Sequence, residues 1–225
     1  MTTILCWDID GTLLTTARAG IFALEDAAKE LIGKAVDFSQ LPTAGMSDRL
    51  IAANIFKQAG IDPDQEKIDQ LLELYASYLP RSLPRRQGKV LEGVREILEQ
   101  LKSRSDVLSI LLTGNISKGA QAKLSYYGLD EYFTHGAFAD FNEERRAIAQ
   151  QAVDLAKDIV GEVNLDRLFV IGDTPHDIDC CAAIQGKAIA VATGAYSLVE
   201  LEQHNPWWAI ASLPTPEIFL DKVGL

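Results

Sequence analysis

The chain has little of what several protein classes require. Cysteine occurs only 3 times in 225 residues, too few and odd in number for a disulfide framework. Cys180 and Cys181 are adjacent, and Cys6 lies in the first apolar run, where it reads as a small core residue. His135, His176 and His204 are scattered, and no Cys/His spacing resembles a zinc site. No apolar run reaches the roughly 18 residues of a membrane helix. The opening "MTTILCWDID" has no basic segment ahead of its short apolar run, so neither a membrane partner nor a signal peptide is expected, and a cytoplasmic location is. Internal repeats and low-complexity segments are missing as well. Basic residues are outnumbered, 21 Lys and Arg against 32 Asp and Glu, for a net charge of -11. Such a chain repels phosphate backbones, so nucleic acid is not an expected partner. A small anionic substrate would need a cation to offset the local field.

What is present is an ordinary globular composition, 48% hydrophobic and 24% charged. "TILCW" reads as a buried strand. Three helical patterns follow, over 19–33, 47–60 and 63–79; the first two end in glycine, the second opens on a Ser cap, and the third has proline and acids in its first turn. Beyond "PRSLPRRQGKV" the pattern alternates. "GVREILEQLKS", "KGAQAKLSYYG", "NEERRAIAQQAVDLAKDIV", "HDIDCCAAIQ", "SLVELEQH" and "TPEIFLDKV" read as helices. "DVLSILLTGN", "YFTHGAF", "DRLFVIGDT", "KAIAVATG" and "WWAI" read as strands between them. Alternation of this kind predicts an α/β fold with a doubly wound parallel sheet. Roughly 95 residues separate the first strand from the next, against the dozen or so that a crossover needs. The surplus predicts an inserted helical subdomain over 15–84, with "LLTTARAG" and "LPRSLPRRQG" as linkers and a core domain built from 1–14 and 85–225.

Three strand ends carry reactive side chains. In "DIDGT", Asp8 and Asp10 are two apart and point the same way. Two bare carboxylates so placed repel unless one is protonated or a cation lies between them, and a divalent metal is the usual remedy. Gly11 permits a sharp turn and Thr12 adds a hydroxyl. Alone, Asp-Gly serves as well for a plain turn. The order is not the "DTG" of an aspartic protease half-site, and neighbours on one strand cannot flank a glycosidic bond from two sides. In "LLTGN", Thr113 can donate a hydrogen bond, and the N–H groups of Gly114 and Asn115 stand where a helix begins and anions bind. In "GDTPHD", Asp173 can reach a metal placed by Asp8. Asp177 can support it, or simply cap the helix; Asp179 reads as a solvated first-turn acid. In an open parallel sheet the C-terminal strand ends share one edge, where ligands bind, so three such ends together predict a site.

These motifs resemble, in order, the first, second and fourth motifs of the haloacid dehalogenase-like (HAD) hydrolase superfamily, and the insertion resembles its helical C1 cap. The chain looks most like phosphatases of the phosphoglycolate phosphatase type. The resemblance implies a Rossmann-like core in which Asp8 attacks phosphorus to form an aspartyl-phosphate, while Asp10 protonates the leaving alcohol and then activates water. Mg²⁺ would be held by Asp8, the Asp10 carbonyl and Asp173, with Asp177 in support. Thr113 and Gly114 would hold phosphoryl oxygens, beside Thr12 and Asn115. A third-motif cation is expected in "GAFADFNEERRAIA". Arg145 aligns best and Arg146 next, Ala139 replaces a common glycine, and a helix-surface arginine paired with Glu143 or Glu144 is the alternative. The loop "LPTAGMSDRL" would close over the substrate, with Thr43 and Ser47 touching it, unless it is a plain inter-helix loop with Ser47 as cap. Arg18 would meet a substrate anion or remain a solvated linker charge, the second being favoured. The second acid, Asp10, favours phosphate esters over dehalogenation. The expected activity is a Mg²⁺-dependent phosphomonoester hydrolase acting on a small soluble phosphorylated metabolite. The rivals are a phosphosugar mutase of the β-phosphoglucomutase type and a non-catalytic scaffold.

Overall fold

The computed structural model describes residues 2–34, 36–141 and 143–225. The chain opens with strand β1 (Thr3–Trp7), whose five residues are all buried. A two-residue strand β2 (Leu14–Thr15) pairs antiparallel with β3 (Lys89–Val90), and together they close the base of everything between them. Helices α1 (Ala19–Ile32), α2 (Asp48–Gln58) and α3 (Gln65–Ser82) occupy that interval. The chain then alternates: α4 (Val94–Lys102), β4 (Val107–Leu112), α5 (Ser117–Tyr127), β5 (Gly136–Ala137), α6 (Arg145–Val160), β6 (Leu168–Gly172), α7 (Pro175–Ala183), β7 (Lys187–Val191), α8 (Leu198–Glu202), β8 (Trp208–Ile210) and α9 (Pro216–Val223).

The six longer-range strands form one parallel sheet in the order β5-β4-β1-β6-β7-β8. The order reverses direction at β1, and a crevice opens between β1 and β6 at such a switch point. Alternation along each strand divides the core into two layers. Leu5, Trp7, Leu111, Phe169, Ile171, Ile189 and Val191 face α4, α5 and α9. Ile4, Cys6, Ile110, Leu112, Leu168, Val170, Ala188 and Ala190 face α6, α7 and α8. Cys6, Cys180 and Cys181 are all buried free thiols. The helices α1–α3 have a core of their own, built on Ala23, Leu24, Ile55, Phe56, Leu71 and Tyr75, with Ile116 reaching in from the sheet side. Among the described residues, no helix is long and apolar enough to cross a membrane.

Most expected elements occur within a few residues of their expected positions. Ser47 is the N-cap of α2, accepting from Leu50 N, and Asp64 caps α3. Helix α3 runs past the expected stop at Leu79 and carries Pro80 inside it. Proline removes one helical N–H, but Leu79 and Leu83 are fully buried on either side and hold the last turn. The expected strand "YFTHGAF" shrinks to Gly136–Ala137, because Asp130–Tyr132 forms a 3₁₀ turn instead. Asn142, at the start of the expected helix before α6, lies outside the described residues. The β2–β3 ribbon had no signal of its own in the sequence.

Candidate active site

Asp8 follows β1 and continues the sheet, its N–H donating to Ile171 O at 2.9 Å. The chain must then turn within two residues. Gly11 does this at φ 87, donating to Leu14 O at 2.8 Å. A Cβ at Gly11 would overlap the Asp173 carboxylate, so both the backbone angle and the close approach require glycine here. Gly194, a few residues after β7, also approaches the Asp173 carboxylate and likewise has no room for a Cβ. Thr193 Oγ1 donates to Gly11 O at 2.5 Å, and Thr12 Oγ1 lies 3.4 Å from Asp173 Oδ1.

Carboxylate oxygens of Asp8, Asp173 and Asp177 lie within 4.8 Å of one another, and all three residues are buried. Burial, then repulsion from Asp177, pushes Asp8 up to about 7, against the pull of Arg145 and a hydrogen bond from Thr113. Burial, then Asp177, Asp8 and Asp10, pushes Asp173 up to about 9. Three buried acids with one cation among them form a donor set that fits a hard divalent ion, which would relieve this repulsion. Asp177 is also tied locally. Its Oδ2 accepts from Thr174 N at 3.1 Å and Thr174 Oγ1 at 2.7 Å, a capping box at the start of α7. The capping reading of Asp177 is met, in a side chain that also belongs to the acidic cluster.

Arg145 is the first residue of α6 and points inward. Its guanidinium reaches Asp8 Oδ1 at 3.5 Å and pairs closely with Asp177. Arg146 is exposed. The pairing of Arg145 with Glu143 or Glu144 on the helix surface is not what the structure shows. Thr113 follows β4 and is fully buried, and its hydroxyl accepts from Asn115 Nδ2 at 2.8 Å. Asn115 Nδ2 also donates to Asp10 Oδ2 at 2.9 Å.

The helix N-terminus after "LLTGN" differs from the expectation at Asn115. The amides entering α5 are taken by the chain's own carboxylates: Ile116 N donates to Asp48 Oδ2 at 2.9 Å and Ser117 N to Asp140 Oδ1 at 3.0 Å. Asn115 N turns to Thr113 Oγ1 at 3.3 Å. Helix starts attract anions, and here the anions are internal. Asn115 therefore reaches Asp10 through its side chain, while its amide is taken within the turn.

One cavity of about 360 Å³ collects Asp8, Asp10, Thr43, Thr113, Gly114, Asn115, Arg145 and Asp173. Ser47 is not in its wall. The Ser47 hydroxyl donates to Glu143 O at 2.6 Å and accepts from Leu50 N, so it is already committed. The next two residues do the same. Asp48 N donates to Gly114 O at 2.7 Å, and Arg49 Nη1 donates to Asp140 O at 2.8 Å. Ser47, Asp48 and Arg49 thus clasp the start of α2 to the two loops that carry Thr113 and Arg145. Arg18 is exposed at the start of α1 and lies outside the cavity wall.

Three site residues escaped the sequence reading. Lys123, in the middle of α5, is buried, and its Nζ lies 2.5 Å from both Asp10 Oδ2 and Asn115 Oδ1. Burial opposes its charge, but Asp10, Tyr75 and Asp48 outweigh burial and shift it upward. Asp48, read only as part of a polar loop, is pushed up to about 6 by burial, partly offset by Lys123. Gly194 had a usable signal: "AVATG" repeats the strand-Thr-Gly pattern of "LLTGN".

A family profile described as haloacid dehalogenase-like hydrolase matches residues 5–191. The chain belongs to this family. Solved structures agree in fold. A HAD hydrolase of family IA, variant 3, from Entamoeba histolytica is 21% identical, with 100% of both chains covered and a TM-score of 0.75. A protein from Haemophilus somnus described as a predicted phosphoglycolate phosphatase is 17% identical, with 98% of each chain covered and a TM-score of 0.71. A Thermotoga maritima protein proposed to be a β-phosphoglucomutase is 18% identical, with 99% of each covered and a TM-score of 0.62. At such identities the likeness is one of fold. No curated protein sequence matches the chain. The HAD family match spans all three strand ends that form the cavity edge.

Proposed function

We propose that this HAD hydrolase is a Mg²⁺-dependent phosphomonoesterase acting on a small phosphorylated metabolite through an aspartyl-phosphate. The observation that carries the reading is the convergence of Asp8, Asp10, Thr113, Arg145 and Asp173 on one cavity at the sheet's switch point. Residues 15–84 form a cap domain over a core of 1–14 and 85–225, its closed position held by the Ser47–Arg49 clasp.

Asp8 is the nucleophile. One of its oxygens attacks phosphorus as the bond from phosphorus to the ester oxygen breaks. Arg145, already beside Asp8, steadies the equatorial oxygens along with Thr113 and the Gly114 N–H. Asp10 gives a proton to the departing alkoxide. In the second half Asp10 takes a proton from water, the water oxygen attacks phosphorus, and Asp8 is released with inorganic phosphate. Asn115 and Lys123 fix the Asp10 carboxylate for both tasks. Mg²⁺, held by Asp8, Asp173 and the Asp10 carbonyl with Asp177 beside them, would supply charge neutralisation that lets one anion approach another.

The test is phosphate release from a panel of metabolites with and without Mg²⁺, for wild type and Asp8→Asn. Metal-dependent release that Asp8→Asn abolishes supports the reading. Activity that survives both EDTA and Asp8→Asn overturns it, and interconversion of phosphosugars without free phosphate would instead indicate the mutase.

A further inference from the structure

We infer that the alcohol released from the phosphoester is small, uncharged and hydroxyl-bearing. This rests on the phosphomonoesterase reading, and it follows from how charge is distributed around the cavity. The cavity has two ends. At the strand edge, Asp8, Thr113, Gly114, Arg145 and Asp173 surround the phosphoryl position. The facing wall comes from the segment at the end of β2, from α1, α2 and α3, and from the loop before α2. It includes Thr16 and Thr43, the apolar residues Ile21, Leu24 and Ile51, and Tyr75.

Among the described residues of the lining, only Arg145 and Lys123 are cationic, against four carboxylates: Asp8, Asp10, Asp48 and Asp173. Both cations are matched within the protein. Arg145 is bound to Asp8 and Asp177. Lys123 is bound to Asp10 and Asn115, with Asp48 close by. A carboxylate or second phosphate on the leaving group would be desolvated beside Asp10 and Asp48 with no cation to meet it. A hydroxyl meets the opposite situation, because threonine can both donate and accept. The cavity of about 360 Å³ must hold the phosphoryl group as well, and the Ser47–Arg49 clasp ties the start of α2 to the loops beside it. The space therefore suits a polyol of a few carbons.

The experiment compares kcat/KM, with Mg²⁺ present, for glycerol 1-phosphate and erythritol 4-phosphate against 2-phosphoglycolate, 3-phosphoglycerate and fructose 1,6-bisphosphate. p-Nitrophenyl phosphate reports on the chemistry alone. The neutral polyol phosphates are expected to lead by roughly 30-fold or more, the scale of one unmatched charge in a site. A carboxylate ester turned over as well as the polyols, while p-nitrophenyl phosphate is also cleaved, overturns the inference and leaves the hydrolase intact. No release from any of the six removes the hydrolase reading and the inference with it. A second arm adds charge to the facing wall through Ile21→Lys, with Thr43→Lys in the loop as the variant for a misfolded first choice. Either is expected to raise the ratio of 2-phosphoglycolate to glycerol 1-phosphate turnover by roughly tenfold. An unchanged ratio in a folded variant means that this wall does not face the leaving group, and the inference is lost.

Discussion

Asp173→Asn should stabilise the metal-free protein while removing its activity. Asp173 is 3% exposed, and its nearest charged neighbours are other carboxylates, since Arg145 is engaged by Asp8 and Asp177. Its ordinary value of 3.8 rises to about 9 in the fold, first through burial and then through Asp177, Asp8 and Asp10. A raised carboxyl favours the folded chain only while protonated. At low pH both folded and unfolded chains carry the proton and nothing is lost. Above 3.8 the unfolded chain ionises freely while the folded chain resists until about 9, so metal-free stability falls across that window. The limit is about 1.4 kcal/mol per pH unit. Water in the cavity and repulsion shared with Asp8 reduce this by about half, leaving about 1 kcal/mol at pH 5.5 and about 3 kcal/mol at pH 8. For a chain of this length each kcal/mol moves Tm by about 2–4 °C.

Thermal unfolding in EDTA reads this directly, and pH 5.5 stays above the pI of 4.7. Asp173→Asn should melt about 2–4 °C above wild type at pH 5.5 and about 6–12 °C above it at pH 8. Added Mg²⁺ should raise the Tm of wild type far more than that of the variant, reversing the order. A variant that melts below wild type in EDTA, or a gap that does not widen with pH, would falsify the claim that Asp173 is a carboxylate awaiting a cation.

Arg145→Ala should lower stability by about 3–5 kcal/mol, because it leaves Asp8 and Asp177 buried and facing each other; chemical denaturation measures this, and Arg145→Lys should recover only part. Ser47→Ala removes the α2 cap and should lower stability by about 1 kcal/mol, with phosphate release reduced about twofold or less, since its hydroxyl lies outside the cavity wall. Asp48→Ala strips the acceptor from Ile116 N and should destabilise by about 1–3 kcal/mol, with hydrogen exchange at Ile116 speeding up before exchange in β1 does. Gly194→Ala forces a Cβ into the Asp173 carboxylate and should reduce the Tm gain from Mg²⁺ more than it reduces the metal-free Tm.

The strand-end half of the site was legible because topology does the assembling. Once β1, β4 and β6 are recognised as parallel strands, their C-terminal residues must meet at one edge, whatever lies between them. Asp8, Thr113 and Asp173 follow from that without any contact being known. Arg145 was harder, since two adjacent arginines begin the same helix; which one turns inward is set by the helix phase, with Ile148, Ala149 and Ala152 packing on the same side. Lys123 and Asp48 owe their places to contacts between elements that no local pattern records. Lys123 is 113 positions from Asp10 and looks like any lysine on a mixed helix. Only the placement of α3 against α5 turns its face from solvent to interior. Asp48 reads in the sequence as part of a polar loop before a helix, and the amide it accepts from belongs to a different helix, 68 positions away.

That second failure has a physical cause with a functional consequence. Carboxylates near helix starts are common because a single chain segment supplies both partners. When the partner comes from another element, the same residue becomes a tie between layers, and sequence spacing carries no trace of it. Ser47, Asp48 and Arg49 are three such ties in a row, to Glu143, to Gly114 and Ile116, and to Asp140. They fasten the helical insert to the two loops that position Arg145 and Thr113. Opening the insert would therefore break hydrogen bonds at the strand edge as well as expose the facing wall of the cavity. Because Asp48 also lies beside Lys123, which holds Asp10, the same movement would disturb Asp10, the proposed proton donor. A substrate that fits between the two layers would meet Arg145, Thr113, Lys123 and Asp10 in one arrangement. One that props the insert open by a few ångströms loses the orientation of Asp10 even where its phosphate is correctly seated.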